Sequence, residues 1–153
     1  MLGLRNVSIS FPHNASVVLP QLLNFGDVAL LLLRLMVASE FVPSGWSHIT
    51  KPAERSKQIS ESKGFTIFLG AAEVLGGLGL VLGVLTQLAA IGLILVMLGA
   101  IQKKIFVWHT GYWGKDGQGW HYELMLTVMN LVIVCTGGGE LALGALLGTG
   151  RAG

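Results

Sequence analysis

Between Gly64 and Ile101 the chain reads GFTIFLGAAEVLGGLGLVLGVLTQLAAIGLILVMLGAI, 38 residues in which only Thr66, Glu73, Thr86 and Gln87 carry a polar side chain. As one helix this stretch would be roughly 57 Å long, nearly twice the ~30 Å hydrocarbon thickness of a bilayer. It must therefore fold back on itself. Gly83 ends one apolar pattern and Thr86 and Gln87 follow it, so the reversal is placed at Gly83–Gln87. Helices are expected on either side, over about 64–83 and 86–108.

Working outward, Phe25–Gly45 is a further apolar run, interrupted by Arg34 and Glu40 and flanked by Asp27, Trp46 and His48. It is long enough to cross a membrane. A polar segment, Ser47–Lys63, follows it. Beyond the third helix lies GYWGKDGQGW at 111–120, then a fourth span over about 121–147, whose end GGGELALG (137–144) loosens. Residues 1–24 contain no apolar block beside a small-residue cleavage site, and read as an uncleaved surface extension. Residues 148–153 form a C-terminal tail. The expected fold is all-α: one domain, an integral membrane four-helix bundle with spans of about 25–45, 64–83, 86–108 and 121–147.

Composition agrees. Of 153 residues, 52% are hydrophobic and 12% charged, about half the ~25% charge usual in soluble domains, and the mean hydropathy is +0.69. A net charge of +2 gives no basic footprint, so nucleic-acid binding is excluded. Cys135 is the single cysteine, which rules out an intrachain disulfide, a CxxC redox pair and a cysteine-held zinc or iron–sulfur site. Redox chemistry in this chain would rest on a bound cofactor, a quinone, a His/carboxylate metal site or a partner protein.

Four spans put both termini on one side. Lys51, Arg55, Lys57, Lys63, Lys103, Lys104 and Lys115 lie on the other, against Arg5 and Arg151, so the positive-inside rule places the polar loops in the cytoplasm and the termini outside. Trp46, Trp108, Trp113 and Trp120 gather at the loop end as an interfacial aromatic belt.

A charge near the bilayer centre costs about 2.5–3.5 kcal/mol, so Arg34, Glu40 and Glu73 need compensation. Counting from the helix starts places Arg34 and Glu73 at similar depth on antiparallel helices. Two readings stand: an ion pair locking the helices, or a proton-handling or ligand-binding Glu73 whose ionisation Arg34 tunes. The partner of Arg34 is left open between Glu73, Glu40 and a ligand. Pro43 should kink the first helix by crowding the Ser39 carbonyl, opening a cavity beneath Glu40. Thr66, Gly70, Glu73 and Gly77 form one small, polar face of the second helix; Gly99, Gln102 and His109 a face of the third; Glu123, Thr127 and Asn130 a face of the fourth. Their small residues are read first as packing. His48, His109 and His121 lie at the loop end near Glu40 and Glu123. They suit proton transfer or, if a metal is bound, a set of His48, His109, His121 and Glu123, although no helical H-x-x-x-H or E-x-x-H pair supports it. Trp108, Trp113, Trp120, Tyr112 and Tyr122 would supply flat walls for a quinone or another aromatic ligand.

LLLRLMVASEF (31–41), SGWSHI (44–49), FLGAAEVLGGLGLVLGVLTQLAA (68–90), Ala100, Ile101 and His109, HYEL (121–124) and TGGGELAL (136–143) together resemble the DoxX/DoxD family of small four-helix membrane proteins over about residues 26–147. Intramembrane Arg34, Glu73 before a glycine-rich helix end, and the E-x-L at Glu123 are its most distinctive pieces. The family includes a membrane subunit of thiosulfate:quinone oxidoreductase and bacterial members proposed to join superoxide dismutase and sulfur-transfer partners. Gly138, Gly139 and Glu140 depart from its usual closing pattern, and the charged 47–63 loop is more polar than usual, marking a partner surface.

The resemblance implies a quinone-linked or redox-associated oxidoreductase component in a prokaryotic inner membrane. Arg34 and Glu73 would set the charge at the base of its pocket and Glu40 and Glu123 would relay protons, as candidate catalytic groups. His48, His109, His121, Trp108 and Trp113 would line the cofactor site. Expected partners are the bilayer, a quinone or small redox substrate, a soluble or membrane oxidoreductase and a second copy of the chain. The alternatives are a non-catalytic anchor or assembly subunit and a small proton-coupled transporter.

Overall fold

The computed structural model describes residues 19–115 and 119–146. Most of the 1–24 extension with Arg5, and the tail with Arg151, lie outside the described residues. A 3-10 turn, Pro20–Phe25, leads into α1 (Gly26–Thr50), followed by α2 (Pro52–Gln58), α3 (Lys63–Leu82), α4 (Thr86–Phe106), α5 (His121–Thr136) and α6 (Leu143–Leu146). Among the described residues there is no strand. The fold class is as expected, all-helical, with α1, α3 and α4 each long and apolar enough to cross a membrane.

The reversal falls where the sequence places it. Ser62 caps α3, its hydroxyl accepting from the Phe65 amide at 3.2 Å. Gly83 ends that helix at φ 70°, where a side chain would be strained, and α4 begins three residues later. Small residues then set how closely the helices approach. A Cβ on Gly45 would lie 2.5 Å from the Gly70 carbonyl oxygen, and one on Gly70 would lie 2.6 Å from the Gly45 oxygen, so α1 and α3 touch backbone to backbone. Gly76 admits Leu93 of α4. Val37, Phe41, Leu80, Leu93, Leu126 and Ile133 fill the core.

Two helix ends differ from expectation. α1 does not stop at Gly45 but runs through Pro43 to Thr50, adding more than a turn. α5 stops at Thr136 after 16 residues, about 24 Å, instead of running to 147. Gly137 and Gly139, at φ 74° and 73°, reverse the chain there. The segment that follows folds back over the α3–α4 turn: the Gly144 amide donates to the Gly83 carbonyl at 2.9 Å and the Glu140 amide to Asp27 Oδ1 at 2.8 Å. The bundle thus has a closed turn end and a loop end, the latter built from the C-terminus of α1, α2, the N-terminus of α3, the C-terminus of α4 and the start of α5.

Candidate functional site

The inward face expected on α3 is the buried one: Thr66, Gly70, Glu73 and Gly77 are all inside. The Gly45–Gly70 contact brings together two side chains from opposite helices. A Cβ on Gly70 would lie 2.7 Å from His48 Cβ, and one on Gly45 would lie 2.8 Å from Glu73 Cβ, so each glycine clears space for an ionisable residue of the other helix. In that space His48 Nδ1 lies 3.0 Å from Glu73 Oε2, both side chains buried. A proton on Nδ1 is donated to the carboxylate in the neutral and the cationic forms of the ring alike.

This pair forms one wall of a cavity of about 500 Å³ enclosed by α1, α3, α4, α5 and the α2–α3 connection. Four glutamates line it, and each has its own partner. Besides Glu73 with His48, the Tyr122 hydroxyl donates to Glu40, Lys103 pairs with Glu61, and Lys104 Nζ lies 2.7 Å from Glu123 Oε1. Glu123 Oε2 is buried and, among the described residues, without a partner. The lysines are anchored twice: Lys103 donates to the Ile59 carbonyl at 2.7 Å and Lys104 to the Gly119 carbonyl at 3.0 Å. Phe41, Phe65, Leu126 and Trp108 supply apolar and aromatic wall. The arrangement offers a largely apolar cavity with hydrogen-bonded, ionisable pairs around it, most of them at the loop end.

Of the sequence-predicted residues, Glu40, Glu73, Glu123, His48 and Trp108 share this cavity. Arg34 does not line it. The arginine is fully buried at the closed end, where Nη2 donates to the Leu141 carbonyl at 3.3 Å and, among the described residues, Nε and Nη1 have no partner. It lies level with Gly83, ten residues and about 15 Å of helix rise from Glu73. Of the partners left open for Arg34, Glu73 is thus taken by His48 and Glu40 by Tyr122. Depth counting failed because α1 extends past Gly45 and the Gly45–Gly70 contact shifts the register by more than two turns.

His109 sits beyond the end of α4, exposed and at φ 49°, instead of continuing the Gly99–Gln102 face. With Trp113 it lines a separate surface hollow. His121 Nδ1 lies 3.0 Å from the Tyr112 carbonyl oxygen, and its ring packs at 5.0 Å from that of Trp113. The conditional metal set His48, His109, His121 and Glu123 does not converge, and among the described residues no three His, Cys, Asp or Glu side chains form a metal-binding group. Sequence reasoning missed Glu61 and Gln102 as lining residues and Lys103 and Lys104 as partners. The two lysines were legible only as loop-end charges.

A family model described as DoxX matches residues 29–110. That is more than half of the chain. The chain belongs to the DoxX family. The DoxX match takes in α1 through α4, and with them Glu40, His48, Glu61, Glu73, Lys103 and Trp108 of the cavity. Tyr122 and Glu123, which close the fourth side, lie beyond it, as does the 136–143 stretch read as part of the resemblance. No curated protein and no solved structure matches the chain. With three helices suited to crossing a bilayer, this DoxX chain is a membrane protein.

Proposed function

We propose that this DoxX protein is the membrane-embedded, quinone-linked component of an oxidoreductase system, seated in a prokaryotic cell membrane with the polar loop end in the cytoplasm. The observation that carries the reading is the cavity itself: about 500 Å³, within the roughly 300–1,000 Å³ usual for small-ligand sites, apolar in its walls and ringed by hydrogen-bonded proton carriers.

A quinone head group is flat and uncharged, with two carbonyl acceptors. The residues present fit it. Phe41, Phe65 and Trp108 offer apolar wall and the Gln102 amide offers donors, while Lys103 and the Tyr122 hydroxyl donate to a ligand only by exchanging their bonds to Glu61 and Glu40. When bound, a quinone supplies an acceptor for two electrons and two protons. The protein's own part is to orient that ring, keep bulk water away and hold protons nearby: His48 Nδ1 shares one with Glu73, and the Tyr122 hydroxyl donates one to Glu40. Glu123, with one oxygen on Lys104 and the other free, is the third proton-carrying position. Electrons come from a separate redox protein, for which α2 and its charged flanks, with Glu54, Lys57 and Lys63 outside the bundle, offer a docking face.

The test is mass spectrometry and elemental analysis of the gently detergent-purified protein. A quinone near one per chain supports the reading. Its absence from several mild preparations, alongside a stoichiometric protein partner, would favour a non-catalytic anchor.

A further inference from the structure

α1 lies along α3 and α4 along α5, so the bundle is two antiparallel pairs joined by the α3–α4 turn. At the turn end the pairs are locked together: Gly76 and Gly79 admit Leu93 and Ala89, and the 137–146 segment ties Asp27, Arg34 and Gly83. At the loop end the cavity separates them. Two seams flank it. Between α3 and α4 the seam is pinned, because Lys103 of α4 holds both Glu61 and the Ile59 carbonyl of the α2–α3 connection. Between α1 and α5 it is not. These two helices meet only briefly, no loop joins them, and among the described residues the hydrogen bond crossing the seam runs from the Tyr122 hydroxyl to Glu40.

Glu40 and Tyr122 both line the cavity and both are exposed, so they stand between its interior and the outside. The outside there is apolar. One turn from Glu40 lies Met36, 58% exposed, and one turn from Tyr122 lies Met125, 54% exposed, surface that faces hydrocarbon in a membrane. Inside, every carboxylate has a partner and Lys103 and Lys104 are both paired, so among the described residues the wall holds no free cation to recruit an anion from water.

We propose that the Glu40–Tyr122 hydrogen bond latches a lateral portal between α1 and α5, through which an uncharged, membrane-dissolved amphiphile passes between the hydrocarbon and the cavity. The proposal rests on the reading of this cavity as a ligand site. It adds the ligand's class, its route and the gate. Breaking the latch leaves the pinned α3–α4 seam closed and lets α1 and α5 part.

The test needs no quinone. A nitroxide is attached at Ser44→Cys, which lines the cavity one turn from Glu40, in a Cys135→Ala background. The protein is reconstituted in phosphatidylcholine vesicles, and the label's collisions with oxygen, concentrated in hydrocarbon, are compared with those of a neutral nickel chelate confined to water. Oxygen collisions exceeding nickel collisions, and rising up to roughly fivefold in Tyr122→Phe, the population shift expected from deleting one hydrogen bond, bear the proposal out. Glu40→Gln weakens the same bond from the other side and serves if Tyr122→Phe does not insert. Dominant nickel collisions would mean a cavity open to water and overturn it. So would an increase seen in Lys103→Met but in neither latch variant, which would move the route to the α3–α4 seam. Latch-dependent oxygen access in a protein that retains no quinone refutes only the quinone identity; bound quinone with latch-independent access refutes only the portal.

Discussion

An imidazole 3.0 Å from a carboxylate inside a bundle is held by mutual need, since either group alone would be a desolvated polar group. Glu73→Gln removes the ionisable carboxyl and leaves His48 facing an amide. We expect the variant to insert and purify, to lose about 1–3 kcal/mol of stability, and to lose bound quinone or quinone-dependent turnover; turnover equal to that of the parent would take Glu73 out of the mechanism. Arg34 behaves oppositely. Among the described residues it makes one hydrogen bond, to the Leu141 carbonyl, which contributes about 1 kcal/mol, while burying its charge with Nε and Nη1 unpartnered costs on the order of several kcal/mol. The larger quantity is the cost, so Arg34→Met is expected to raise the melting temperature in detergent and leave ligand binding unchanged. A fall of several degrees would mean that the two unpartnered nitrogens serve a polar group. At this scale the sequence exposed Glu40, Glu73 and His48 because ionisable groups stand out in apolar runs. It could not show which partner each takes, because that depends on helix register, and register is a property of two surfaces at once.

The surfaces that set register are glycines. Ala at Gly70 would bring its Cβ to 2.6 Å from a backbone oxygen, which cannot swing away as a side chain can. α1 and α3 must then part, costing about 1–3 kcal/mol and pulling His48 from Glu73. Gly70→Ala should therefore lower stability and ligand binding together. Gly92 is the contrast: nothing lies within 4 Å of its Cβ position, so Gly92→Ala should stabilise α4 by up to about 1 kcal/mol through helix propensity alone. Thermal unfolding of both variants in one detergent checks the pair; equal stabilisation would mean that Gly70, like Gly92, acts only through propensity. The helices themselves were largely legible. The α3–α4 reversal and the buried face of α3 follow from composition and periodicity. The early end of α5 was only half legible, since GGGELALG signals a loosened end, whereas its folding back depends on contacts with Asp27 and Gly83 more than fifty residues away.

For the whole molecule, the side of the membrane that the cavity's polar end faces decides which partner could reach it under the proposed function. Lys103 and Lys104 count toward a basic loop end in sequence, but both are committed to ion pairs with Glu61 and Glu123. The orientation argument survives their loss, because Lys51, Lys57, Lys63 and Lys115 remain exposed at that end, and acidic residues weigh little in the rule. Ser60, exposed between α2 and α3, reports the outcome without altering the charge. In a Cys135→Ala background, Ser60→Cys should resist a membrane-impermeant maleimide in intact cells and react in inverted vesicles. Labelling in intact cells would reverse the orientation and put the acid–partner pairs on the outer side. The electron donor would then be an exported protein, and the protons held by Glu40, Glu73 and Glu123 would exchange with the exterior instead of the cytoplasm.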